Sequence, residues 1–136
     1  MTLVLPSEHA EQAAFFTTIL FKYRTDDRFI RPLLFAVPNG AWLGGKRPAH
    51  VLEKLRAEGL TPGVADILYL QPRGGYSFLA LEMKRADKRN QKAGGLRAEQ
   101  VEFLNAASRA GAFFAVCYSA EEAERAFDEY LRLGKP

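Results

Sequence analysis

The chain is poor in the residues that hold soft metals and build cross-links. Its 136 residues include one cysteine, Cys117, and two histidines, His9 and His50. A lone cysteine excludes a disulfide within the chain and a cysteine-based zinc site, and two isolated histidines do not make a metal cluster. Cys117 lies in the apolar run AFFAVCYS, where a small buried core residue is expected. Long hydrophobic runs are missing too: none approaches the roughly 20 residues needed to cross a bilayer, so no membrane partner is expected. The N-terminal MTLVLPSEHAEQ has neither a basic leader nor a long apolar core, so no secretory signal is read and a cytoplasmic location is expected. There are no repeats, linkers or low-complexity segments. With 48% hydrophobic and 26% charged residues, the composition is that of one ordinary globular domain over 1–136, long enough to bury a core.

What is present is unevenly placed. The net charge is only +3, but KRADKRNQKAGGLR carries Lys84, Arg85, Lys88, Arg89, Lys92 and Arg97 against the single acid Asp87. Such a run is often a solvated loop. Because it leaves directly from the charged end of an apolar segment, it also reads as a surface that meets phosphates.

The apolar periodicity gives the order α-β-α-β-β-α-β-α. Ser7 is a candidate N-cap for a helix over 6–24, whose stripe holds Phe15, Phe16, Ile19, Leu20 and Tyr23. Continued backwards, that stripe meets Gln12 and then Glu8, with Glu11 at its edge. A strand in LLFAVP, a turn-rich PNGAWLGGKRP and a short helix ended by Gly59 follow. Next come VADILYL and YSFLALEMK, two strand-length runs separated by the turn formers QPRGG. LRAEQVEFLNAASRAG is a helix with Leu96, Phe103, Leu104 and Ala107 on its stripe and the polar Gln100 among them. AFFAVCYS is the last strand, and a helix capped by Ser119 closes the chain. A hairpin inside an alternating pattern predicts an α/β fold: a mixed sheet of about four strands with helices on both faces.

One tempting motif fails. Gly40-Ala-Trp-Leu-Gly-Gly45-Lys46 matches seven positions of a nucleotide-binding P-loop, but Arg47 stands where the magnesium-binding hydroxyl should be. A turn, or a glycine-rich loop placing Lys46 and Arg47 near a nucleic-acid backbone, suits these residues better.

The chemistry is expected in the hairpin. Asp66, Glu82 and Lys84 interrupt its apolar runs, and an unpaired buried charge is very costly. Period-2 geometry puts Glu82 and Lys84 on one face. A loop of three or five residues brings Asp66 to the same face. Two carboxylates on neighbouring strands suit Mg2+ or Mn2+, and a lysine one pleat away can orient water or stabilise charge building on a phosphate. Glu8 could complete or adjust the metal shell; as a first-turn acid it could equally serve the helix dipole. The bland alternative for Asp66, Glu82 and Lys84 is a salt-bridged triad at a strand end.

Asp66 followed by Glu82-Met83-Lys84 resembles the PD-(D/E)xK nuclease core. Glu8-x-x-x-Gln12, Pro38-Asn39-Gly40, Glu58-Gly59, Pro62-Gly63-Val64-Ala65-Asp66 and Glu99-Gln100 extend the likeness over nearly the whole chain. The ordered set is similar to the stand-alone, phage-type members of the VRR-NUC family. One departure is Ala65, where the family usually has proline. The resemblance implies a restriction-endonuclease-like sheet, with Asp66, Glu82 and the Met83 carbonyl as metal ligands and Glu8 as a helix-borne acid beside them. Lys84 would be the catalytic lysine, and Gln100 the glutamine that positions it or the DNA backbone. It further implies an Mg2+- or Mn2+-dependent endonuclease acting on branched DNA such as four-way junctions, as a homodimer. Lys46, Arg47, Arg85, Lys88, Arg89 and Lys92 are candidates for the DNA backbone. A non-catalytic nucleic-acid-binding module on the same fold is the alternative; it would need the basic run but not the acids.

Overall fold

The structure is a computed structural model that describes residues 4–38 and 49–135. Asn39, Gly40, Lys46 and Arg47, with the rest of the P-loop-like segment, lie outside the described residues.

The first helix, α1 (Glu8–Lys22), starts where Ser7 accepts a hydrogen bond from the Ala10 amide at 3.0 Å. It is followed by β1 (Leu34–Ala36) and α2 (Ala49–Ala57), then by β2 (Ile67–Tyr69), β3 (Phe78–Met83) and α3 (Ala98–Arg109). β4 (Ala112–Cys117) and α4 (Ala120–Arg132) end the chain. The order is the one the sequence predicts, with short 3-10 turns added at Arg31–Leu33 and within the basic run at Ala86–Lys88 and Lys92–Gly95.

The four strands form one mixed sheet in the order β1-β2-β3-β4. β1 and β3 run antiparallel to β2, and β4 runs parallel to β3 across the α3 crossover. Alternation then divides the residues of the sheet. Leu79, Leu81 and Met83 of β3, with Ile67, Tyr69 and Leu34, join a core with Phe15, Ile19 and Tyr23 of α1 and Phe127, Tyr130 and Leu131 of α4. Phe127 is at its centre, with ring centroids 5.1 Å from Tyr69, 5.5 Å from Tyr23 and 6.1 Å from Phe15. Alternate residues face α3, where Phe103 meets Phe114 at 6.1 Å. Helices therefore cover both faces, α1 and α4 on one and α3 on the other. Cys117 is a free, buried core residue, its thiol pushed up to about 12 by burial.

Two polar clasps join α1 to α4. Asp128, 8% exposed, accepts hydrogen bonds from the Tyr23 hydroxyl and from Lys22 Nζ, the latter at 2.7 Å. Glu11 accepts from the Ala120 amide and so caps the start of α4 from another helix.

The hairpin turn is tighter than the sequence suggests. Arg73 and Tyr76 exchange backbone hydrogen bonds across Gly74 and Gly75, both at positive φ (56° and 89°). This is the Gly-Gly turn that matches strand twist. Between this bridge and the Tyr69–Leu79 pair, the β2 side carries one residue more than the β3 side. The extra residue restores equal-parity pairing, which is what aligns Asp66 with Glu82.

Gly63 sets the approach of β2 to α3. Its φ is +88°, and a Cβ there would lie 2.3 Å from the Glu99 carbonyl oxygen. Gly63→Ala is expected to lower stability by about 2–5 kcal/mol, the sum of overpacking against backbone and a left-handed residue. A urea melt with a lower midpoint and unchanged slope would show it; an unchanged midpoint would contradict the close approach.

Candidate active site

Asp66 immediately precedes β2, and Glu82 lies opposite it on β3 by continuation of the Leu68–Ala80 register. Asp66 Oδ2 accepts a hydrogen bond from the Met83 amide at 2.7 Å, which fixes its carboxylate against the end of β3. The Met83 side chain is core, 1% exposed, so only its main chain can take part in chemistry at this end of the strand.

Glu82 is 2% exposed, and its two oxygens differ. Oε1 accepts from Gln100 Nε2 at 2.7 Å and lies 4.0 Å from Lys84 Nζ. Oε2 is fully buried and has no hydrogen-bond partner among the described residues. A buried carboxylate with an orphaned oxygen is unfavourable to ionise. Burial above all, then the neighbouring Asp66, pushes the Glu82 carboxyl up to about 8, with Lys84 pulling the other way.

Lys84 is 5% exposed and donates to Gln100 Oε1 at 2.9 Å. That same oxygen accepts from the Arg97 amide at 2.9 Å, in the first turn of α3. Gln100, itself 5% exposed, is thus engaged at both ends: its oxygen holds the ammonium and its nitrogen the carboxylate. Packing of Gly63 on the Glu99 backbone locks this helix turn to the chain leading into Asp66. The arrangement is one connected set, Asp66–Met83, Glu82–Gln100–Lys84, spanning two strands and one helix. The part played by the Arg97 amide is not readable from the sequence, because any residue would supply it.

Glu8 stands apart. Its Oε1 accepts from the Arg85 amide at 3.3 Å and lies 3.7 Å from Lys88 Nζ. Among the described residues, no group of three or more His, Cys, Asp and Glu side chains is placed to hold a metal ion. Glu8 is still near enough to add to the field that raises the Glu82 carboxyl. The basic run is also more neutral than its sequence suggests. Arg85 forks onto Asp87 at 2.7 and 2.5 Å, Lys88 pairs with Glu8, and Arg89 pairs with Glu122 while stacking 4.5 Å from the Tyr118 ring. Lys92 is exposed.

The donor set fits a hard divalent cation. Two carboxylates and a backbone carbonyl at neighbouring strand ends offer hard oxygen donors, and the buried Oε2 of Glu82 is a donor atom that no described residue engages. No nitrogen or sulfur ligand for a softer metal joins them among the described residues.

No family model matches the sequence, and no curated protein matches it. Among solved structures, the fold is shared with a chain described as "VRR_NUC domain protein". The TM-score is 0.67, over 99% of this chain and 94% of that one, at 15% sequence identity. The likeness is therefore one of fold, and it runs the length of the domain. No described helix is long and apolar enough to cross a membrane.

Proposed function

We propose that this chain is an Mg2+- or Mn2+-dependent endodeoxyribonuclease that hydrolyses phosphodiester bonds. The observation that carries the proposal is the buried, unpartnered Oε2 of Glu82 beside Asp66, tied through Gln100 to Lys84, on the fold of a VRR_NUC domain protein. Nothing about binding a polyanion alone favours two carboxylates and a costly buried acid at this point.

Asp66, Glu82 and the Met83 carbonyl would hold the ion, with Glu8 nearby to adjust the charge. When bound, a divalent ion there supplies Lewis-acid polarisation of the phosphate and lowers the pKa of a coordinated water. Gln100 fixes the Lys84 ammonium by accepting a hydrogen bond from it, so the cation faces the phosphate already oriented. Lys84 can then hold the attacking water and offset the negative charge that builds on the phosphoryl oxygens. Selection by DNA shape rather than by base sequence is the mode we favour for this domain. Branched DNA, such as a four-way junction bound by a homodimer, is the substrate we favour, since a twofold dimer suits a symmetric branch.

The test is cleavage of labelled four-way, flap and linear DNAs in Mg2+, Mn2+ or EDTA, with Asp66→Ala alongside. Cutting that needs the metal and Asp66 is expected. An equally active Asp66→Ala protein, or no metal-dependent cutting of any of these DNAs, would sink the proposal.

A further inference from the structure

Gln12 is an anomaly that the catalytic set does not absorb. It lies on the core-facing stripe of α1, is 8% exposed, and makes no side-chain hydrogen bond among the described residues. An apolar side chain would suit the stripe better. Gln12 lines a cavity of about 250 Å³ between α1 and β1, with His9, Ala13, Phe16 and Ala36. The half-buried Phe16 ring is held edge-on against Phe15, with centroids 5.4 Å apart.

The position of the cavity matters more than its lining. Ala36 pairs with Ile67, the residue after Asp66, and the Val37 amide donates to the Asp66 carbonyl at 2.8 Å. The cavity therefore lies on the α1 face of the sheet but at the end that carries Asp66 and Glu82. His9 also lines a separate cleft of about 430 Å³ with Glu8, Arg85 and Lys88, so the two recesses adjoin at His9. An apolar, partly aromatic recess with a single amide, smaller than the usual drug-sized pocket of ~300–1,000 Å³, suits a planar heterocycle.

We infer that this cavity is a nucleobase pocket, taking one unpaired or extruded base beside the phosphate held at Asp66 and Glu82. The inference rests on the nuclease reading and deepens it. The Gln12 amide offers a donor and an acceptor side by side, the pairing that glutamine makes with an adenine edge, and Phe16 packs against the base. An enzyme that tests for an unpaired base prefers DNA in which stacking is already broken, which supplies a physical reason for selecting branched over linear duplex.

The experiment needs no cleavage. Wild type, Gln12→Leu and Gln12→Glu are titrated in EDTA with branched DNAs carrying 2-aminopurine, adenine or an abasic site at each unpaired or branch-point nucleotide. With wild type, one position is expected to give a large fluorescence change on binding. Both variants should bind the adenine DNA about tenfold more weakly, with little effect on the abasic DNA; the fluorescence change itself reports extrusion of the base, since 2-aminopurine lacks the 6-amino group that Gln12 would read. Gln12→Leu should melt no lower than wild type, since leucine suits the stripe. Equal weakening on adenine and abasic DNA, or no fluorescence response at any position, would overturn the pocket. Metal-dependent cutting without any fluorescence response would leave the nuclease standing and remove the pocket. A base-dependent response in a protein that never cuts would do the reverse.

Discussion

Replacing Lys84 with methionine is expected to lower kcat for DNA cleavage by about 10²–10⁴-fold, with KM nearly unchanged. The side chain is 5% exposed and its ammonium is held at 2.9 Å by Gln100 Oε1, so its charge acts from one fixed place. Methionine keeps most of the length and apolar bulk, and Gln100 Oε1 retains the Arg97 amide as a donor. Folding should therefore survive, and the lost interaction is one that strengthens as charge builds on the phosphate. A second effect follows at the neighbouring acid. Lys84 is the foremost influence holding the Glu82 carboxyl down against burial and Asp66. Without it, Glu82 keeps its proton to higher pH, and the variant should need more Mg2+ or Mn2+ to reach its residual rate. Single-turnover cleavage at saturating DNA, across a metal titration, measures both. An unchanged kcat would reduce Lys84 to a structural partner of Gln100.

The residues that form this set were legible because each breaks a local rule. Glu82 and Lys84 interrupt an apolar strand, and Gln100 interrupts the apolar stripe of a helix. Parity alone brings Asp66 to the face of Glu82 and Lys84, although the turn is Gly74–Gly75 with an extra residue on one side rather than a loop of three or five. Parity survives because the extra residue and the shorter turn cancel. What could not be read depends on long-range approach. Glu11 looked like an edge residue of α1, yet it caps α4, more than a hundred residues away in sequence. The basic run looked like a cationic patch, but Lys88 and Arg89 find their acids on α1 and α4. VADILYL reads as a strand of seven residues, whereas β2 spans Ile67–Tyr69, and Gly63 just before the run packs on the Glu99 backbone of α3. The fold comparison and the motif order agree for the same reason: a sheet that brings a few side chains to one end tolerates wide change elsewhere, so 15% identity suffices to keep the architecture.

Glu82→Gln should separate function from stability. The amide keeps an oxygen to accept from Gln100 Nε2 but has no charge to hold an ion, and cleavage should fall by about 10³-fold or more. Stability of the metal-free protein should move the other way, in a manner that pH reveals. The Glu82 carboxyl stands at about 8 in the folded chain against an ordinary value of 4.5. Below 4.5 the group is protonated in both folded and unfolded chains, and its contribution to stability is complete. Between 4.5 and about 8 the folded chain retains a proton that the unfolded chain releases, so stability declines as pH rises, by up to about 1.4 kcal/mol per pH unit. Above about 8 the loss is complete. Glutamine has no proton to release, so this part of the slope should vanish in Glu82→Gln. In urea melts in EDTA, the two proteins should be of similar stability near pH 5, and the variant should be the more stable near pH 8. Added Mg2+ or Mn2+ should then raise the wild-type Tm and leave the variant's nearly unmoved. If wild type in EDTA showed no decline over that range relative to the variant, Glu82 would not be the strained acid on which the proposed site is built.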